Sequence, residues 1–124
     1  MYEAGASVEV HALHVMPVEG PEGLLHGHDY RIDVVVSREE LDGDGMVIDL
    51  AALEAELSSV RAELEGRDLD AIRPQDAEAV TVEVFARWVW DRLAPLVVAA
   101  GAEELAARVY ESADAYGGYR ARVG

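Results

Sequence analysis

The chain has 124 residues, about half of them apolar, and its 25 acidic residues against ten basic ones give a formal charge of −15 at pH 7. Nucleic acid and anionic membrane surfaces would repel such a charge, so neither is an expected partner. The absence of cysteine excludes a disulfide framework and a thiolate nucleophile. We predict one domain over residues 1–124, cytoplasmic and without a signal peptide.

The first half of the chain begins with two predicted strands. Residues 6–15 are rich in β-branched side chains, and residues 26–37 form a second apolar run. Between them, residues 16–23 contain two prolines and two glycines and are predicted to form a loop.

Two helices and two further strands follow. Apolar residues from Leu50 to Leu64 recur at spacings of three and four, which predicts one face of a helix, and Asp49 is its expected N-cap. Thr81 is the expected N-cap of a second helix, which Pro95 is predicted to end or kink. Residues 104–112 and 115–123 then form two closing strands, so the predicted order is ββααββ.

This order leaves apolar and polar surface uncovered in a single chain. Four strands with two helices on one face expose two sheet edges and the other face of the sheet. Trp88 and Trp90 lie off the apolar stripe of the second helix. We therefore predict an oligomer, the alternative being that both tryptophans fill the core of their own chain.

A pair of histidines begins the second strand. His26 and His28 are two residues apart, so both side chains project from the same face, as in half of a zinc site. In the first strand His11 and His14 differ in parity, so only one of them can face the same way. Three histidines with one open position are typical of a catalytic zinc site. The alternative is a pair of exposed strand histidines.

Five segments of the chain, in order, resemble the 6-pyruvoyl-tetrahydropterin synthase family, which includes the 6-carboxytetrahydropterin synthases. The segments are LLHGHDYRIDVVV, GDGMVIDLAALEAEL, LEGRDLDAI, AVTVEVFARWVWDRL and ARVYESADAYGGY. They are similar to the family's H-G-H-x-Y strand and to its G-M-V-x-D, L-D-H-x-x-L-N, P-T-x-E-N and V-x-E-T segments. The resemblance implies the tunnelling fold, an α+β unit with a four-stranded antiparallel sheet and two helices on one face. It also implies a barrel of three subunits, or a hexamer of two stacked trimers.

The resemblance also implies a ligand set for zinc. The family's first zinc histidine ends an F-x-A-x-H strand about fifteen residues before H-G-H, which points to His11 together with His26 and His28. His14 is then expected to be a surface residue, the alternative being a substitute acid or base.

The chain departs from the family at its catalytic positions. Glu22 stands where the family has its proton-abstracting cysteine, and Glu65 and Gly66 replace the aspartate and the proton-carrying histidine of L-D-H. Glu111 matches the family's pterin-holding glutamate, and Glu83 matches the glutamate of T-x-E-N. The candidate catalytic residues are therefore Glu22 and Glu65, and the candidate substrate-binding residues are Glu111 and Glu83.

The expected function is that of a zinc-dependent lyase or cyclase. It would act on a pterin-like or other carbonyl- and hydroxyl-bearing small molecule, by proton abstraction next to a zinc-bound oxygen, with a carboxylate in place of the cysteine. One alternative is a scaffold recruited for cyclisation or elimination in a specialised biosynthetic pathway, and another is a catalytically inactive ligand-binding relative.

Overall fold

The computed structural model describes residues 1–124 and contains one four-stranded antiparallel sheet with the strand order β1-β2-β3-β4. The strands are β1 (Tyr2–His14), β2 (His26–Arg38), β3 (Glu104–Tyr110) and β4 (Tyr116–Arg122). The first strand starts four residues before its predicted start. All four predicted strands are present, and neighbours in sequence are neighbours in the sheet.

Two helices cover one face of this sheet, as predicted. They are α1 (Leu50–Leu64) and α2 (Val82–Ala99), and short 3-10 turns occupy Pro21–Gly23 and Leu69–Ile72. Asp49 caps α1 by accepting from the backbone N–H groups of the first turn, and the Thr81 hydroxyl accepts from the Val84 N–H at 3.1 Å. The ββααββ order and the tunnelling-fold architecture are confirmed.

The second helix runs through its proline. Pro95 lies inside α2, which continues to Ala99, so of the two predicted outcomes, an end or a kink, the end is wrong. Leu93 and Val97, on either side of the proline, are fully buried in the core. Their burial offsets the hydrogen bond that a proline removes from a helix.

Trp90 makes its contacts within its own chain. Its indole N–H donates to the Leu105 carbonyl at 2.8 Å, and its ring packs edge-on against Tyr119 with centroids 5.3 Å apart. Trp88 is half-buried and packs against the same core. The two tryptophans are therefore weaker support for an oligomer than the sequence pattern indicated.

The two faces of the sheet differ in chemistry because side chains alternate along each strand. The face toward the helices carries the buried apolar residues, such as Ile32 and Leu105. The open face carries polar contacts, including Arg31 Nε to Asp33 Oδ1 at 3.1 Å and Ser7 Oγ to the same carboxylate at 2.7 Å. Neither helix combines the length and the apolarity needed to cross a membrane.

Candidate metal and substrate site

Three histidines meet where the helix-covered face of the sheet ends. In the register of β1 and β2, His14 lies opposite His26, and Ala12 lies opposite His28. Directly opposed residues of an antiparallel pair project from the same face, so these three imidazoles share the helix side. Their ring centroids are 4.5 Å apart for His14 and His26, 5.0 Å for His14 and His28, and 4.9 Å for His26 and His28.

His11 does not belong to this cluster, contrary to the sequence prediction. It lies opposite Asp29 on the open face, with its Nδ1 atom 2.7 Å from Asp29 Oδ1. His14, expected to be a surface residue, is only 5 % exposed. The physical reason is the register of the two strands: His14 pairs with His26, and His11, an odd number of positions away on β1, faces the opposite side.

The sequence contains a signal that identifies His14. If the family's F-x-A-x-H pattern is placed so that Ala12 matches its alanine, the final histidine of the pattern is His14. Ala12 is fully buried, and its small side chain fits the close packing between the sheet and the helices.

The ligand atoms of the cluster are buried and unpaired. His14, Glu22, His26 and His28 each offer one ligand atom, and these four atoms lie within 4.8 Å of one another. The Nε2 atoms of the three histidines are buried and have no hydrogen-bond partner. Buried polar atoms are rarely left unpaired in folded proteins, so three together indicate a candidate ligand-binding site.

Backbone carbonyls orient two of the rings. The Nδ1 atom of His26 lies 2.7 Å from the Leu24 carbonyl oxygen, and that of His14 lies 3.5 Å from the Val80 carbonyl oxygen. A ring that donates from Nδ1 presents the lone pair of Nε2, which is the usual second-shell arrangement of a metal-ligating histidine. The donor set fits a divalent metal such as zinc.

Burial lowers the pKa of His14 below its usual range. The neighbouring His26 and His28 lower this pKa further, whereas the Val80 carbonyl and the Glu111 carboxylate raise it. The balance keeps His14 neutral near pH 7, which is the state that binds metal.

Two predicted carboxylates lie beside the histidines. Glu22 Oε2 is 2.8 Å from His26 Nε2, and Glu111 Oε1 is 3.0 Å from His28 Nε2 and 4.0 Å from His14 Nε2. These contacts lack hydrogen-bond geometry, which is why the Nε2 atoms remain unpaired. Glu22 reaches the cluster from the 3-10 turn Pro21–Gly23, and Glu111 directly follows β3.

A cleft of about 610 Å³ opens from this cluster. Its lining residues are His14, Met16, Val18, Glu22, His28, Thr81, Val82, Glu83, Glu111 and Ser112. Glu83, predicted to bind substrate, therefore lines the same cleft as Glu111, at the start of α2.

Glu65, the second predicted catalytic carboxylate, lies elsewhere. Its Oε2 atom accepts from the backbone N–H of His11 at 3.1 Å, and the N–H of Gly66 donates to the His11 carbonyl at 2.7 Å. This segment runs along the outer edge of β1 and is not part of the cleft lining. The structure thus brings Glu22, Glu111 and Glu83 together and leaves Glu65 apart.

Tyr30 packs against the histidine cluster, a contact that the sequence reasoning missed. It is 1 % exposed, its hydroxyl has no hydrogen-bond partner, and its ring packs between those of His28 and Phe85, with centroids 5.5 Å and 5.3 Å away. Burial raises the pKa of Tyr30 well above its usual range, and the charges of Glu111 and Glu22 add to this. Its even spacing from His26 and His28 on β2 is a signal that could have found it.

These features define a class of protein: a ββααββ chain with three histidine ligand atoms and adjacent carboxylates beside a cleft. The sequence profile of the 6-pyruvoyl tetrahydropterin synthase family matches residues 7–122. The chain belongs to the 6-pyruvoyl tetrahydropterin synthase family.

Solved structures of synthases share this fold at low identity. The Plasmodium vivax 6-pyruvoyl tetrahydropterin synthase superposes with a TM-score of 0.78 at 15% identity, covering 99% of this chain and all of its own. The Caenorhabditis elegans enzyme gives a TM-score of 0.75 at 22% identity, covering 97% of this chain and 95% of its own. A variant of the P. vivax enzyme, in which a catalytic glutamate is replaced by cysteine, gives 0.75 at 15% identity, with 99% and 100% coverage.

Proposed function

We propose that this protein is a zinc-dependent lyase of the 6-pyruvoyl tetrahydropterin synthase type, acting on a pterin-like small molecule. The observation that carries the proposal is the set of three buried, unpaired Nε2 atoms beside a carboxylate. The Nε2 atoms of His14, His26 and His28 are the proposed zinc ligands. Bound zinc would supply Lewis acidity toward a substrate oxygen, which makes a neighbouring C–H or O–H more acidic.

Glu22 is the proposed proton acceptor. Its carboxylate lies among the ligand atoms, and Glu22 lines the cleft. The catalytic glutamate of the P. vivax synthase supports a carboxylate in this role within the family. Glu65 is assigned no catalytic role, because it lies at the outer edge of β1.

Glu111 and Glu83 are the proposed anchors for the heterocycle. Carboxylates accept hydrogen bonds from ring N–H and amino groups, and two of them in one cleft can fix the orientation of a flat ring. The apolar side chains of Met16, Val18 and Val82 line the same cleft and exclude water from the ring faces.

The decisive experiment compares Glu22→Ala with Glu19→Ala in zinc-loaded protein. Both glutamates lie in the loop between β1 and β2, but Glu19 is exposed and does not line the cleft. With dihydroneopterin as substrate and chromatography of the products, Glu22→Ala should lower the rate by about 10²- to 10⁴-fold. Glu19→Ala should retain it, and both variants should retain zinc.

Two outcomes would contradict the proposal. Full turnover by Glu22→Ala would exclude the carboxylate as the proton acceptor. Pterin binding by the zinc-loaded wild type without any turnover would instead indicate a ligand-binding relative without catalysis.

A further inference from the structure

The Tyr30 hydroxyl is a buried donor without a hydrogen-bond partner, and the proposed function does not use it. The residue is 1 % exposed, so the side chains that cover it belong to its own chain and a neighbouring copy of the chain adds no partner. An unpaired buried hydroxyl costs folding free energy, and a phenylalanine would fill the same space without that cost. The hydroxyl therefore points to a state of the site in which it has a partner.

The unpaired buried atoms of the chain are concentrated around this hydroxyl. Of the five such side-chain atoms, three are the Nε2 atoms of the proposed zinc ligands. The centroid of the Tyr30 ring lies 5.5 Å from that of His28 and 6.1 Å from that of His14. The fifth atom, Arg38 Nε, lies at the other end of β2. Four unpaired atoms in one place indicate that one ligand-bound state pairs all of them.

The acceptor beside Tyr30 is the carboxylate of Glu111. Strands β2 and β3 pair with Arg31 opposite Tyr110, so one further step of this register places Tyr30 opposite Glu111. The β3–β4 hairpin holds Glu111 in this position, because its backbone N–H donates to the Ala115 carbonyl at 3.1 Å. Opposed residues of an antiparallel pair project from the same face, with Cβ atoms about 5 Å apart. The Glu111 side chain is partly exposed and can therefore turn toward the hydroxyl.

A metal on the histidines would change the contacts of Glu111. Its Oε1 atom lies 3.0 Å from His28 Nε2 and 4.0 Å from His14 Nε2, without hydrogen-bond geometry. A histidine nitrogen that ligates a metal has neither a proton nor a free lone pair to share with a carboxylate. In the loaded site Glu111 therefore needs another donor, and the protonated phenol of Tyr30 is one.

We infer that Tyr30 is a positioning residue whose hydroxyl donates to the Glu111 carboxylate in the metal-loaded site. This hydrogen bond fixes the carboxylate that the proposed function assigns to the substrate's heterocycle. A hydrogen bond that forms only in the loaded state also strengthens metal binding. The inference rests on the proposed function for the same site and adds to it a residue that contacts neither metal nor substrate.

The zinc affinity of Tyr30→Phe tests the inference. Competition with a chromogenic chelator should show binding about tenfold weaker than in wild type or weaker still, because loss of such a supporting partner costs about 10- to 100-fold in metal affinity. Tyr119→Phe is the matched control and should bind zinc as wild type does, because Tyr119 packs against Trp90 and does not line the cleft.

Unfolding of the EDTA-treated proteins separates positioning from a structural role. Without metal the substitution Tyr30→Phe removes no hydrogen bond, so the variant should unfold at the same urea concentration as wild type or a higher one. A purely structural role would instead lower that concentration and leave the zinc affinity unchanged, which would overturn the inference.

Double variants identify the acceptor. Added to Glu111→Ala, the substitution Tyr30→Phe should weaken zinc binding by less than about twofold, because its partner is already absent. Added to Glu22→Ala, it should still weaken zinc binding about tenfold. A full effect of Tyr30→Phe in the Glu111→Ala background would overturn the assignment of Glu111 as the acceptor.

The outcomes for this inference and for the proposed function are distinct. Equal zinc affinity in wild type and Tyr30→Phe would overturn the inference and leave the proposed zinc site in place. A wild-type protein that binds no zinc would contradict both. Zinc binding that depends on Tyr30, in a protein that turns over no pterin, would support the inference and contradict the proposed catalysis alone.

Discussion

His14 and His26 are directly paired across β1 and β2, with ring centroids 4.5 Å apart. The pairing places both imidazoles on the helix side of the sheet, beside His28. All three candidate ligands therefore project from two hydrogen-bonded strands. A site built on strands holds its ligands more precisely than one built on loops.

This pairing predicts which histidine variants lose zinc. Wild type should carry about one zinc per chain, and His14→Ala or the double variant His26→Ala, His28→Ala should fall to background, because each removes unpaired Nε2 atoms. His11→Ala should retain full zinc, because His11 faces Asp29 on the open face. Elemental analysis of the purified proteins measures zinc directly.

Circular dichroism serves as the folding control for these variants. Full zinc in a folded His14→Ala protein would show that the metal lies elsewhere. Loss of zinc from a folded His11→Ala protein would instead support the ligand set that the sequence predicted, with His11 as the third ligand.

The fold could be predicted largely from local patterns. The spacing of Leu53, Leu57 and Val60 fixes the buried face of α1, and all three are buried against the sheet. The run of β-branched residues that ends at Val36 predicts the strand β2, with one face toward the helices and the other toward solvent. Both patterns depend on residues close in sequence, so they can be recognised without knowledge of the tertiary structure.

The complete site could not be predicted in this way. His26 and His28 follow from strand alternation alone, but the choice between His11 and His14 depends on the pairing of β1 with β2. That register joins distant residues and is set by tertiary packing. Glu65 was misplaced for the same reason, because the path of its segment along β1 depends on backbone hydrogen bonds to His11.

Substitutions of Tyr30 test whether its hydroxyl contributes to the free energy of unfolding of the EDTA-treated protein. Because that hydroxyl has no partner, Tyr30→Phe should leave the free energy of unfolding unchanged or raise it by about 1 kcal/mol. Tyr30→Ala should lower it by about 3–5 kcal/mol, because the ring fills space between His28 and Phe85. Urea unfolding measures both. A large loss in Tyr30→Phe would reveal a hydrogen bond from the hydroxyl.

Acid should destabilise the folded chain through His14. Its pKa is lowered by burial, so the unfolded chain binds a proton at this position near pH 6.5, whereas the folded chain does so only at lower pH. The stabilisation by neutral His14 is therefore complete above about pH 6.5 and is lost as the pH falls below it. Urea unfolding of EDTA-treated protein at pH 7.5 and 5.5 should show a smaller pH effect in His14→Gln. An equal pH effect in both proteins would contradict this assignment.

The last prediction is that the protein forms trimers or hexamers. Strands β1 and β4 are the two edges of the sheet, and each carries an exposed tyrosine, Tyr2 at 54% and Tyr116 at 51% exposure. Edge strands that remain open invite pairing with another chain, and a closed ring of sheets removes such edges. Light scattering should therefore give about three or six times the chain mass of 13.4 kDa, independent of dilution. A stable 13.4 kDa species would exclude the barrel and would require the cleft of a single chain to act alone.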